Sequence, residues 1–117
     1  MKKVEAIIRK TKFDEVKEAL NAVGIEFITF WEVRGVGKTT EKRLYRGVQY
    51  DTSTIERMMI TFICREKYLD PAIKALLESA KTGEVGDGKI FISEISDGYR
   101  IRTGDKGDKS VYLEGEE

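Results

Sequence analysis

The spacing of apolar residues divides the chain into alternating strand-like and helix-like segments. Apolar residues at helical spacing predict a first helix from Phe13 to a stop at Gly24. A second helix is expected from Asp70 and Pro71, as N-cap and first turn, to Gly83, with an apolar stripe of Leu69, Ile73, Leu76, Leu77 and Ala80. Runs of apolar and β-branched residues predict four strands, at residues 4–9, 25–33, 58–64 and 89–95.

The resulting order of elements, β-α-β-loop-β-α-β, predicts an α+β fold. Two βαβ units in a short chain are typical of the ferredoxin-like arrangement, an antiparallel four-stranded sheet with both helices on one face. We expect one domain over residues 1–117, with a long protruding loop at about residues 37–55. The polar segment at about residues 105–117 is expected to be a flexible tail.

The second predicted strand carries apolar side chains on both of its faces. Trp31 and Val33 fall on one face, and Ile28 and Phe30 fall on the other. Helices on one side of a four-stranded sheet cover only one face, so the second face needs another cover. Association between copies of the chain is the simplest answer, and it places Trp31 in the core or in a subunit interface.

Composition and charge exclude several functional classes. The 117 residues include 21 basic and 21 acidic ones, and this zero net charge argues against a nucleic-acid binder. The absence of histidine excludes His-based triads and metal sites, and one cysteine, Cys64, excludes an internal disulfide. A single, buried thiol suits a reducing cytoplasm. No segment has a signal-peptide core or the ~20 apolar residues of a membrane span, so we expect a cytoplasmic protein without membrane insertion.

Three segments have a composition suited to binding anions. Residues 82–89 contain three glycines before Lys89, which lets N–H groups converge beside a cation, although a helix stop followed by a turn is the alternative. Alternation puts Arg100 and Arg102 on one face of an extended segment, where they could clamp phosphates or only solvate an edge strand. Residues 33–46 carry five cations against one carboxylate, as either a binding loop or a basic hairpin tip.

In this order and on this topology, the three segments resemble the PII signal-transduction family, the nitrogen-regulatory trimers. The resemblance covers roughly residues 2–104. It is carried by the runs MKKVEAIIR at the start, EVRGVG before the loop, LYRG within it, KTGEVGDGKIF after the second helix and RIRTG near the end. It implies a ferredoxin-like homotrimer with ATP or ADP bound in the clefts between subunits.

The resemblance also implies a binding role for each matched residue and no catalytic residue. Those implied to cradle or reach the phosphates are Gly86, Asp87, Gly88, Lys89, Arg100 and Arg102. Those implied to approach from the base of the loop are Gly35, Gly37 and Lys38. Those implied to surround the base and ribose are Ile7, Thr29, Thr61 and Ile63.

The protruding loop is implied to dock into an ammonium transporter or a regulated enzyme of nitrogen metabolism. Arg46 occupies the position where the family commonly inserts an arginine into a channel pore. Tyr50 matches a tyrosine that some relatives nucleotidylate, but Asp51 and Thr52 follow it in place of the usual apolar pair, which argues against modification.

Three differences from the family pattern narrow what the resemblance implies. Thr39 stands where a glutamine usually helps place Mg²⁺ and 2-oxoglutarate, and a threonine lacks both the reach and the carbonyl, which argues against these two ligands. Arg57 replaces a usual lysine, and Thr61 replaces a common glutamate. The differences indicate a divergent subgroup, and a domain derived from an ammonium-transporter fusion stays an open alternative.

Two functions of other classes are also compatible with these residues. A small ATP-hydrolysing enzyme could use Lys89 and the two arginines, with Asp87 or Glu84 as the general base. A ferredoxin-like trimer could instead bind a ligand that is not a nucleotide.

Overall fold

The computed structural model describes residues 1–37, 43–45, 48–50, 54–113 and 116, with residues 43–45 and 48–50 described as backbone. Six strands lie in this part of the chain: β1 (Lys2–Ile8), β2 (Thr29–Val36), β3 (Arg43–Tyr45), β4 (Val48–Tyr50), β5 (Thr54–Cys64) and β6 (Gly88–Glu94). The helices are α1 (Phe13–Ala22), α2 (Glu66–Ala80) and two 3-10 segments, Lys10–Lys12 and Gly107–Val111.

Four of these strands form one antiparallel sheet in the order β2–β5–β1–β6. α1 connects β1 to β2 across β5, and α2 connects β5 to β6 across β1, so the two βαβ units interleave. β3 and β4 form a separate two-stranded ladder between β2 and β5. The order confirms the predicted α+β, ferredoxin-like fold.

Alternating side chains of the two central strands form the core with one side of each helix. Val4 and Ala6 in β1 and Ile60 in β5 are fully buried. The helices contribute the buried side chains of Val16, Leu20, Ala72 and Leu76. Leu77, which the sequence places in the apolar stripe of α2, is 58% exposed, because Ala72 and Leu76 already fill the contact with the sheet.

β2 begins later than the sequence predicts, at Thr29 and not at Ile25. The intervening residues cap helix α1: the Ile25 N–H donates to the carbonyl of Leu20 at 2.9 Å, and Gly24 adopts a φ of +93°. An N–H used in a helix cap is not available to a sheet ladder, so the high β-propensity of this stretch does not decide its structure.

β5 begins at Thr54, four residues before the predicted start. Its polar first residues pair with the end of β2, with Val36 opposite Thr54. Arg34 and Glu56 lie on opposite strands of this ladder, and their side chains form an ion pair at 3.2 Å. Backbone pairing does not need apolar side chains where both faces are solvated, so the ladder extends to the base of the predicted loop.

Helix α2 begins at Glu66, one turn before the predicted start, and contains Pro71. Tyr68 and Leu69 in the additional turn pack against the core, which stabilises the longer helix. Pro71 is the sixth residue of this helix, where it removes one backbone hydrogen bond, the one that an N–H at this position would donate to the Lys67 carbonyl. In the described part of the chain, neither helix has the length and apolarity that a membrane crossing requires.

The face of the sheet opposite the helices carries large exposed apolar side chains. Trp31 in β2, Ile63 in β5 and Phe91 in β6 are 45%, 38% and 56% exposed, and Phe27 before β2 is 80% exposed. In the single chain Trp31 therefore lies outside the core, which leaves the subunit interface as its predicted environment.

The described part of the predicted tail has defined contacts. Residues Gly107–Val111 form a 3-10 helix, and the Tyr112 ring lies 4.4 Å from the Arg65 guanidinium. Glu116 accepts hydrogen bonds from the Leu113 N–H at 3.0 Å and the Tyr68 hydroxyl at 3.2 Å. The polar composition of this segment, from which a flexible tail is predicted, does not indicate these contacts. The flexibility of the tail in solution stays a prediction.

Candidate functional site

The loop between α2 and β6, residues 82–87, has a backbone that its glycines make accessible. Gly83 and Gly86 adopt φ values of +91° and +98°, and Gly88, the first residue of β6, adopts +110°. Among the described residues, the N–H group of Gly86 donates to no protein acceptor, whereas the turn at Val85 and Gly86 directs the N–H group of Asp87 toward the Glu84 carbonyl. We call this segment, together with Gly88, the glycine loop.

The carboxylate of Asp87 is turned into the glycine loop and holds its first half. One oxygen accepts hydrogen bonds from the backbone N–H groups of Thr82 and Gly83, both at 2.9 Å. The other accepts from the Thr82 hydroxyl and from Arg9 Nε, the latter at 3.0 Å. These donors, with those from Thr82 the largest influence, hold the pKa of Asp87 well below its usual range. The carboxylate is therefore ionised and fully engaged at neutral pH.

Two guanidinium groups hold the second half of the glycine loop through its carbonyls. Arg9 Nη2 donates to the Val85 carbonyl, and Arg57 Nη2 donates to the Gly86 carbonyl, both at 3.0 Å. Burial, followed by the charge of Arg9, lowers the pKa of Arg57, and the guanidinium stays protonated at neutral pH. Two cations therefore flank the loop.

Gly88 is required where β6 leaves the loop. A Cβ atom at this position would lie 1.7 Å from the carbonyl oxygen of Ile7 on the neighbouring strand β1. This close approach brings the loop directly against the end of β1, where Arg9 follows. The pairing of β1 with β6 thus sets the position of the glycine loop.

A groove of about 500 Å³ lies between the glycine loop and the ends of β2 and β5. We call it the loop groove. It brings together seven of the predicted site residues: Ile7, Gly35, Gly37, Gly86, Asp87, Gly88 and Lys89. Arg57 also lines it, and Lys89 forms no ion pair with a described carboxylate. The groove thus combines backbone N–H groups with two cationic side chains.

A second groove, of about 660 Å³, lies between the start of α2 and the C-terminal segment. Ile63, Arg100 and Arg102 line it, and we call it the arginine groove. The backbone at 101–103 forms a turn closed by a bridge between Tyr99 and Lys106, so the two arginines do not alternate along an extended segment as predicted. Arg100 Nη2 donates to the carbonyl of Tyr112 at 2.6 Å.

The two grooves lie at opposite ends of the same face of β5. Arg57 lines the loop groove and Ile63 the arginine groove, six residues further along the strand or about 20 Å at ~3.3 Å per residue. Thr61 lies between them on this face and pairs with Thr29 of β2. A single chain therefore does not bring Lys89 close to Arg102.

Three of the predicted site residues have no described side chain, and two residues that contact the glycine loop are not predicted as site residues. Lys38 and Arg46 lie outside the described residues, and Tyr50 is described only as backbone of β4, so their predicted roles stay predictions. The sequence does not identify Arg9 or Arg57 as site residues. Arg9 could be identified only by knowing the pairing of β1 with β6, because the loop that it contacts is 78 positions away.

These features define a ferredoxin-like α+β protein with a glycine loop beside a groove that Arg57, Lys89 and Glu84 also line. The family model for nitrogen regulatory protein P-II matches residues 1–105. Nitrogen regulatory protein P-II of Azospirillum brasilense is 43% identical over 112 residues, which cover 95% of this chain and all of that protein. The P-II protein of Bradyrhizobium diazoefficiens is 44% identical over 108 residues, covering 92% and 96% of the two chains.

A solved structure has the same fold. The structure of GlnK from B. subtilis superposes with a TM-score of 0.79 at 35% sequence identity, covering 94% of this chain and 97% of that one. The chain therefore belongs to the nitrogen regulatory protein P-II family, whose members are signal-transduction proteins of nitrogen regulation. Members of this family are regulators that act on partners and are not enzymes.

Replacing Gly88 and Gly83 by alanine should separate steric contact from backbone strain. Both residues have positive φ, but a Cβ at Gly83 has no atom within 4 Å. Gly83→Ala should therefore cost about 1–2 kcal/mol, the usual cost of left-handed backbone. Gly88→Ala should cost at least twice as much, because it also displaces β6 from β1. Urea unfolding measures both, and equal losses would refute the close approach of the two strands.

The depressed pKa of Asp87 predicts how acid affects the stability. An acid with a lowered folded-state pKa stabilises the protein fully above its unfolded value of about 3.9, and this contribution is lost as the pH falls below that value. Asp87→Asn should be less stable at pH 7 and should lose less stability between pH 4 and 2. Urea unfolding across this pH range tests it, with Asp108→Asn, on an exposed 3-10 segment, as the control. An unchanged acid slope in Asp87→Asn would contradict the assignment.

Proposed function

We propose that this chain is a nucleotide-sensing regulator of nitrogen metabolism that binds ATP or ADP between the subunits of a homotrimer. The observation that carries this proposal is the glycine loop, whose Gly86 N–H group has no described protein acceptor and which lines the same groove as Lys89 and Arg57. Such an arrangement suits a phosphate, because converging N–H groups and cations bind anions together. In this proposal the site binds the nucleotide and does not catalyse a reaction of it.

The separation of the two grooves supports a site between subunits. The phosphates of one nucleotide span far less than the ~20 Å between the grooves on one chain. If Lys89 and Arg102 bind the same phosphates, they must come from different subunits. We infer that the loop groove of one subunit meets the arginine groove of its neighbour, with Thr29, Thr61 and Ile63 toward the base and ribose.

The exposed apolar face of the sheet supports association. Trp31, Ile63 and Phe91 lie on the side that no helix covers, and contiguous apolar surface of this kind usually marks an interface. Burying this face against two other copies would bring the open sides of three sheets together. The same contact would complete the nucleotide site.

The loop between β2 and β5 would transmit the bound state to a partner. Its base, Gly35 and Gly37, lines the loop groove, so a nucleotide there contacts the segment from which the loop departs. The difference between ATP and ADP would bias the loop between forms that do or do not engage an ammonium transporter or a regulated enzyme in the cytoplasm. The bias cannot exceed the difference in nucleotide affinity between the two forms.

The structure argues against Asp87 as the general base for ATP hydrolysis in this site. A general base must be free to accept a proton near neutral pH. The carboxylate of Asp87 instead accepts four hydrogen bonds within the protein, and its pKa is held low. Mg²⁺ and 2-oxoglutarate are not part of the proposal, because Thr39 lacks the donor set that the family uses for them.

Calorimetry with ATP, ADP and adenosine tests the proposed function. We expect ATP and ADP to bind and Lys89→Ala to weaken both at least tenfold while changing adenosine binding less than twofold, since Lys89 faces only the phosphates. Lys74→Ala, which removes an exposed lysine on α2, is the matched control and should bind as the unmodified protein does. Absence of ATP and ADP binding at millimolar concentration would overturn the proposal, and equal losses for adenosine would overturn the role of Lys89.

A further inference from the structure

Arg9 contacts the glycine loop from outside the loop groove. Its Nε donates to Asp87 and its Nη2 to the Val85 carbonyl, both at 3.0 Å, and its side chain is only 24% exposed. Arg9 does not line the loop groove, whereas Arg57 does. Any influence of Arg9 on a ligand in that groove therefore passes through the loop.

The geometry of the peptide bond determines what these contacts do to the loop. In a trans peptide the carbonyl of one residue and the N–H of the next point in opposite directions. Arg9 holds the Val85 carbonyl from outside the loop groove, so the N–H group of Gly86 points away from the Arg9 guanidinium. No described protein acceptor uses this N–H group.

Both guanidinium groups converge on the same residue. A Cβ built on Gly86 would lie 3.1 Å from Arg57 Nη2 and 3.5 Å from Arg9 Nη2. Two like charges held this close repel each other, and the Asp87 carboxylate, which pairs with Arg9 and also attracts Arg57, offsets part of this repulsion. Directed hydrogen bonds to the Val85 and Gly86 carbonyls add to this attraction.

We propose that Arg9 is a positioning residue for phosphate recognition, which orients the N–H group of Gly86 toward the ligand. This inference rests on the proposed function for the identity of the ligand. It assigns to Arg57 a contact with the loop backbone, and it gives Arg9 a role without any contact to the nucleotide.

The alternative is that Arg9 acts only through its positive charge, and a lysine distinguishes the two. Arg9→Lys keeps the charge but cannot form the two hydrogen bonds of the guanidinium fork at once. If positioning matters, Arg9→Lys and Arg9→Ala should both weaken ADP binding by about tenfold and leave adenosine binding within twofold. Lys10→Ala is the matched control, since it removes the neighbouring charge, which pairs with Glu32 away from the loop.

Amide NMR of the ligand-free protein gives a second readout that needs no nucleotide. The signal of Gly86 should shift in Arg9→Lys and Arg9→Ala and stay in place in Lys10→Ala. Full ADP affinity in Arg9→Lys, or an unchanged Gly86 amide signal in Arg9→Ala, would overturn the positioning role. If the unmodified protein binds no ADP, the proposed function fails, and the amide signals still test whether Arg9 orients the loop. A parallel loss of adenosine binding would also overturn the inference, because it would indicate general unfolding.

Discussion

The carboxylate of Asp87 is the group on which the candidate site depends. It joins the first half of the glycine loop, at Thr82 and Gly83, to Arg9 at the end of β1. The residues that follow α2 thus meet Arg9, which follows β1 and is 78 positions away in sequence, at this one ionised side chain. A carboxylate that holds the loop in this way cannot also serve as a free acid or base.

The antiparallel sheet explains why one chain provides both grooves and why it does not bring them together. Pairing of β1 with β6 delivers the loop groove at one end, and the length of β5 places the arginine groove about 20 Å away on the same face. That face is also where the apolar side chains are exposed. If copies of the chain cover this face of one another, opposite ends of neighbouring sheets come together. The loop groove of one chain and the arginine groove of the next would then form one shared site.

The periodicity of apolar residues and the positions of the glycines predict much of the fold and of the loop groove. They do not predict contacts between residues that are distant in sequence. The four sheet strands, both helices and the grouping of Gly86, Gly88 and Lys89 follow from local patterns. The start of β2 does not, because the Ile25 N–H caps a helix. Local sequence patterns do not identify Arg9 either, because only the strand register brings it to Asp87, 78 residues away.

Mixing two binding-deficient subunits tests the central claim, a nucleotide site shared between chains, most directly. Lys89→Ala and Arg102→Ala chains carrying different affinity tags can be co-expressed and the mixed trimers isolated, and nucleotide binding is then measured by calorimetry. In a cyclic trimer, each mixed assembly contains one site with both residues intact, so we predict one ATP site of unmodified affinity per trimer and none in either parent. Mixed trimers that bind ATP as weakly as the parents would contradict the shared site.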